Sequence, residues 1–163
     1  SSHGGAVGLL SAALLFVRKY KKIKFFDYVD IISVCATIPI ATVRLGNFFN
    51  SEIVGKVSTV PWTVVFTKYD NLPRHPSQIY EFFMGAILFF ILFPTWLKKN
   101  KKAKPGLFFG MLFVLYFTMR FFIEYVKDFP SYTILNLTTG QLLSIPFFLL
   151  GLIVLYRTQG RNE

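Results

Sequence analysis

The sequence predicts an all-α integral membrane protein: a multi-pass helical bundle with a small extracytoplasmic loop region that has room for short β-strands. Three observations predict it. Of the 163 residues, 53% are hydrophobic and only 16% charged, where soluble domains carry about 25% charged residues. The apolar residues are gathered into long runs separated by short basic clusters. Two of those runs are 20 residues long, which as helix is roughly 30 Å, the thickness of a bilayer core. This composition excludes a disordered chain, a collagen-like fibre and a disulfide scaffold. The single cysteine, Cys35, excludes an internal disulfide and a cysteine-based zinc site. It lies in an apolar run with no charged neighbour to activate it, and reads as a small core residue.

Five apolar segments follow in order: residues 6–17, 28–43 (interrupted by Pro39), 78–97, 107–126 and 140–156. Together they read as one membrane domain over residues 1–163. The first is short and follows Ser1 rather than a methionine, so the chain is expected to be a fragment or a processed product, and no signal peptide is visible. The net charge of +10 comes from 18 Lys and Arg against 8 Asp and Glu, and 12 of the 18 sit in three places beside apolar runs. That pattern suits a membrane surface, and no nucleic-acid partner is expected. With the loops 18–27 and 98–106 and the residues after Tyr156 placed in the cytoplasm, the parity of five crossings closes. The C-terminus is then cytoplasmic, and residues 44–77 and 127–139, with few and mixed charges, lie outside.

The loop 44–77 is long for a connection within a bundle, and such loops are usually functional or disordered. Its segment Val57 to Thr67 is β-branched and aromatic, which suits a short strand or hairpin broken by Pro61. Ser77 is placed to N-cap the third segment, with Glu81 in its first turns, and residues 136–141 open the fifth in the same way.

Polar groups at membrane depth are expensive and mark candidate sites. Tyr116, Arg120 and Glu124 are spaced i, i+4, i+8, hence on one helix face. They read either as an ion pair locking two helices or as an anion-binding arginine held by Glu124 and Tyr116, because the planar guanidinium donates two parallel hydrogen bonds to phosphate. Arg44, Asn47, Asn50 and Glu52, with Gly46 and Gly55, concentrate donors beside the second segment, as a headgroup site needs and as a bland interfacial loop also has. His3 is either a general base or simply solvated. Phosphate-loop, nucleophile-elbow and zinc-protease motifs do not occur.

These motifs closely resemble those of the bacterial prolipoprotein diacylglyceryl transferases. Residues 44–55 resemble the family's R-x-G-N-F-x-N-x-E-x-x-G pattern. His3-Gly4-Gly5 resembles its H-G-G, and Arg74 to Glu81 its R-H-P-S-Q-x-Y-E. Tyr116 with Arg120 to Glu124 resembles Y-x-x-x-R-F-x-x-E, and Gly140 to Pro146 resembles G-Q-x-x-S-x-P. Val43 stands where the family has a glycine; a β-branched residue does not adopt φ > 0 cheaply, so the local turn is expected to differ.

The resemblance implies seven helices in the whole family fold, of which five are here. It implies an enzyme of the bacterial inner membrane with its active face extracytoplasmic, moving the diacylglyceryl group of phosphatidylglycerol onto the lipobox cysteine of a prolipoprotein. His3 is the implied base; Arg44 and Arg120 would hold the phosphate; Asn47 and Asn50 would bond glycerol or phosphate oxygens. Glu52 and Glu124 would orient the arginines, Tyr116 would donate to phosphate or position Arg120, and Gly55 would serve backbone geometry. No metal and no cofactor are implied. The competing expectation is a transporter or channel subunit with Arg44, Arg120 and Glu124 as its ion path.

Overall fold

The structure, a computed structural model, describes residues 2–20, 25–99, 103–128 and 137–160. Its helices are α1 (Ser2–Lys19), α2 (Phe25–Asn50), α3 (Ser77–Lys99), α4 (Leu107–Ile123) and α5 (Thr139–Gln159), and its two short strands are β1 (Val64–Val65) and β2 (Pro73–Arg74). A single 3-10 turn, Glu124–Val126, extends α4. Among the described residues, four helices, α2 to α5, are long and apolar enough to cross a membrane.

α2 packs along α3 and α4 along α5, and contacts of α4 with α2 and α3 join the two pairs. Met84, Leu88 and Leu92 share one face of α3 at four-residue spacing. They bury against Val34 of α2 and Phe108 and Leu112 of α4. Apolar driving force is weak between helices in lipid, so close backbone approach matters. Gly110 and Gly151 provide it between α4 and α5: a Cβ on Gly110 would stand 2.8 Å from Leu155, and one on Gly151 2.9 Å from Phe113. The outward faces carry large apolar side chains such as Phe83, Phe90 and Leu150.

The bundle has two distinct ends. At the basic end, the starts of α2 and α4 meet the end of α5, where Phe26, Pro105, Val154 and Arg157 line one pocket. There the Asp30 carboxylate of α2, 6% exposed, accepts from the Gly106 N–H (2.7 Å) and the Phe109 N–H (2.8 Å). It thereby satisfies two orphan donors of α4's first turn, while Gly106 takes the left-handed φ of 95° that the entry to the helix requires. At the other end lies the 51–76 connection. Val64 pairs with Arg74 and Val65 with Pro73; β1 falls within the β-branched stretch 57–67, whereas its partner β2 lies beyond that stretch. Phe66 beneath it is buried against Phe48.

Four features differ from expectation. α2 runs on to Asn50, past the start of the loop read from sequence, because Arg44 to Asn50 continue its helical hydrogen bonding. Pro39 does not interrupt it, since one missing N–H is tolerated inside a membrane helix. Val43 is helical, so no glycine is needed before Arg44. Cys35 is exposed rather than in the core: it faces an apolar groove between α2 and α3 with Ile38, Phe89 and Trp96.

Candidate functional site

The last turns of α2 carry Arg44 and Asn47. The helix closes on a Schellman arrangement, the Ser51 N–H bonding Phe48 O (3.1 Å) and the Glu52 N–H bonding Asn47 O (2.9 Å). Ser51 (φ 59°) and Ile53 (φ 56°) then turn the chain sharply. Val54 goes inward, 1% exposed, and the Gly55 N–H bonds His75 O at 3.0 Å. Gly55 fills a place where no side chain fits, since a Cβ would strike the His75 backbone and lie 2.9 Å from Val126 O.

The first turn of α3 holds this turn. The Ser77 hydroxyl donates to Ile53 O (2.8 Å) and the Gln78 amide nitrogen to Glu52 O (2.6 Å). Ser77 is the first residue of α3 rather than its cap, because its hydroxyl is committed to Ile53. Four residues on, Glu81 is 0% exposed and is the centre of an ion cluster. Lys127 Nζ donates to Glu81 Oε1 at 2.7 Å. Arg120 Nη1 stands 3.9 Å from the same oxygen, and Arg44 Nε 3.4 Å from Oε2. Lys127 also reaches Glu124 Oε2 at 3.6 Å. Among the described residues, two carboxylates thus face three cations drawn from α2, α4 and the segment after it, leaving one formal positive charge. Such a set survives burial only because every charge has an opposite neighbour.

Both guanidinium groups are incompletely used. Arg44 and Arg120 keep 20% and 26% of their side-chain surface exposed and meet Glu81 at ion-pair distances. A guanidinium has five N–H donors, so each retains donors for a further anion. Tyr116 stands 3.5 Å from Arg120 Nη1, the pairing that the i, i+4 spacing suggested. Glu124 takes a different course. The chain tightens into a 3-10 turn at Glu124, and this carboxylate meets Lys127 while Glu81 provides Arg120 with its counter-charge. It also lies against the start of α5, where a Cβ on Gly140 would collide with it. α5 begins with a capping box between Thr138 and Gln141, as residues 136–141 suggested, and its positive N-terminal dipole faces the carboxylate.

Arg74 braces the connection. Buried in β2, it donates to Asp70, to Gly55 O (3.1 Å) and to Asp128 (2.5 Å), and lies over the Tyr69 ring. Hydrogen bonding to the Arg74 guanidinium holds the Asp70 carboxyl below its ordinary value, and Asp70 and Asp128 push the Arg74 guanidinium up. Beside it, the Trp62 indole donates to Tyr80 Oη (2.7 Å), which lies 3.0 Å from His75 Nδ1.

Of the residues singled out from sequence, Arg44, Tyr116, Arg120 and Glu124 come together around Glu81. Asn47 is half-buried one helical turn beyond Arg44, whereas Asn50 and Glu52 are exposed. Arg44 is met by Glu81, and Glu52 contributes its backbone carbonyl. The His3 side chain lies outside the described residues, though its backbone belongs to α1. Glu81 and Lys127 were not singled out. Glu81 carried the competing explanation of a first-turn acid, and Lys127 lay among mixed loop charges.

Fold and cluster together define a multi-pass helical membrane protein with a buried ion network at one end of its bundle. The family model for prolipoprotein diacylglyceryl transferase matches residues 1–157, and the chain belongs to that family. It is 41% identical over 160 residues to the phosphatidylglycerol–prolipoprotein diacylglyceryl transferase of Bacteroides fragilis, covering 96% of this chain and 57% of that protein. The protein of the same name from Wolbachia pipientis subsp. Culex pipiens is 42% identical over 160 residues, covering 94% and 60%. That from Protochlamydia amoebophila is 37% identical over 169 residues, covering 98% and 45%. The chain thus spans about half the length of these relatives.

Proposed function

We propose that this chain forms the phosphate-handling part of an enzyme that transfers the diacylglyceryl group of phosphatidylglycerol to the lipobox cysteine of a prolipoprotein. The enzyme sits in the bacterial inner membrane, with the Glu81 end extracytoplasmic and the C-terminus cytoplasmic. One observation carries this reading: two part-exposed guanidinium groups, Arg44 and Arg120, converge on one buried carboxylate with donors to spare. Family membership and the names of the relatives support it.

In the reaction the substrate thiol loses its proton to a base, for which His3 is the candidate. The sulfur forms a bond to the glyceryl carbon, the bond from that carbon to the phosphate oxygen breaks, and the electron pair leaves with glycerol phosphate. Charge grows on the departing phosphate, where fixed guanidinium donors stabilise it most. Glu81 and Tyr116 keep Arg120 aimed, and Asn47 is one turn from Arg44 for the glycerol oxygens. An apolar groove between α4 and α5, lined by Phe117, Phe121, Phe122 and Phe148, suits an acyl chain. An ion path is less well supported: the buried hydroxyls of Ser33, Thr37 and Ser144 are each spent on a carbonyl of their own helix.

The test uses the full-length protein that contains this chain, reconstituted with phosphatidylglycerol and a lipobox peptide. The expected result is a peptide mass gain of one diacylglyceryl group, lost in Arg120→Ala. A folded wild-type protein that adds no mass would overturn the reading.

A further inference from the structure

We propose that Ser77 and Gln78 are positioning residues that clamp a strained turn and thereby fix where α2 presents Arg44 and Asn47. The inference rests on the reading that this end of the bundle binds a phosphate-bearing headgroup.

The strain is local. Ser51 at φ 59° occupies the left-handed position of a helix C-cap, where glycine is usual and a small polar residue is tolerable. Ile53 at φ 56° has no such excuse, because a β-branched residue in that region is sterically opposed. Something outside the turn must hold it. The two carbonyls on either side of the Ile53 Cα supply the grip: Glu52 O accepts from Gln78 and Ile53 O from Ser77. Both clamping side chains are 0% exposed. The Glu52 carbonyl also fixes the Gln78 amide: only its nitrogen can face that oxygen, which leaves Gln78 Oε1 buried without a protein donor. A glutamine present only to fill space would not need that orientation.

The geometric return is direction. With Ile53 held at positive φ, the chain passes within five residues from Asn50, the end of α2, to the Gly55–His75 contact. Gln78 and Glu81 are one turn apart on α3, so the helix that clamps the turn also supplies the carboxylate that Arg44 meets. Without the clamp, α2's last turn loses its fixed relation to Glu81.

The experiment compares Gln78→Met, which keeps length but removes the donor, and Ser77→Ala, each with and without Ile53→Gly, in the full-length reconstituted protein. Glycine adopts φ > 0 freely, so it makes the clamp dispensable. The expected result is about a tenfold loss of kcat/KM for transfer in each single clamp variant, seen mainly as a raised KM for phosphatidylglycerol, and recovery to within about threefold of wild type on adding Ile53→Gly. Trypsin cleavage at Lys56 and Lys68 should accelerate in the clamp variants and slow again with the glycine. Full activity in both single variants, or no recovery of either readout with glycine, would overturn the clamp. Ser77→Ala is the milder change and serves if Gln78→Met does not fold. A wild type that transfers nothing, while the cleavage pattern follows the clamp, would overturn the transferase reading alone.

Discussion

Glu81 of α3 and Lys127, just beyond α4, meet at 2.7 Å with side chains 0% and 3% exposed. That pair ties two helices and provides the fixed negative charge around which Arg44 and Arg120 gather. Removing Lys127 takes away the shortest contact of Glu81 and the cation beside Glu124, and removing Glu81 leaves the cluster's cations facing Glu124 alone. Lys127→Met is expected to destabilise the protein by roughly 3 kcal/mol. Adding Glu81→Gln should cost less than the sum of the two single changes, as groups in one network do. Denaturant unfolding in micelles of the four proteins of this cycle measures both numbers.

Arg120→Lys keeps the charge and loses the fork. Transfer is expected to fall about a hundredfold, the scale of losing one aimed donor at a developing oxyanion, with unfolding little changed. A lysine variant as active as wild type would sink the bidentate proposal.

Gly140→Ala places a methyl group where the Glu124 carboxylate lies. Either α5 moves away or Glu124 is expelled from Lys127. A stability loss of about 1–3 kcal/mol is expected, and Gly140→Ala combined with Glu124→Ala should be better tolerated than Gly140→Ala alone. Thermal melting of the two variants checks this.

Acid should loosen the hairpin through Asp70. Its carboxyl is held below the ordinary value by hydrogen bonds to Arg74, so the unfolded form takes up its proton first as pH falls. The stabilisation is complete above the unfolded carboxyl value of about 4 and disappears as pH drops through the lower folded value. Fluorescence of Trp62, with Trp96 replaced by Phe, should stay constant from pH 7 to pH 5 and change only below about pH 4. In Asp70→Asn that acid step should be missing.

The helices were legible because lipid demands long uninterrupted apolar runs, and the motif around Arg44 was legible because its donors are dense. The end of α2 was not, since Arg44, Asn47 and Asn50 suit a polar loop as well as the last turns of a helix. Glu81 was hidden for a similar reason: an acid in a first helical turn has an ordinary explanation, and only its burial among three cations gives it another. Glu124 shows the limit of periodicity. Its place four residues after Arg120 predicts an ion pair; the helix tightens at that residue, so its close contact is with Lys127 and its charge acts on Arg120 from farther away. Cys35 misled because an apolar neighbourhood in sequence does not distinguish the lipid-facing side of a membrane helix from its packed side.

The carboxylate at the start of α4 has a consequence for assembly. Asp30 precedes Gly106 by 76 positions, so a chain entering the membrane in order has laid down α2 and α3 before α4 emerges. α4 therefore completes its first turn by docking on a helix already in place, and insertion and correct pairing of α2 with α4 become a single event.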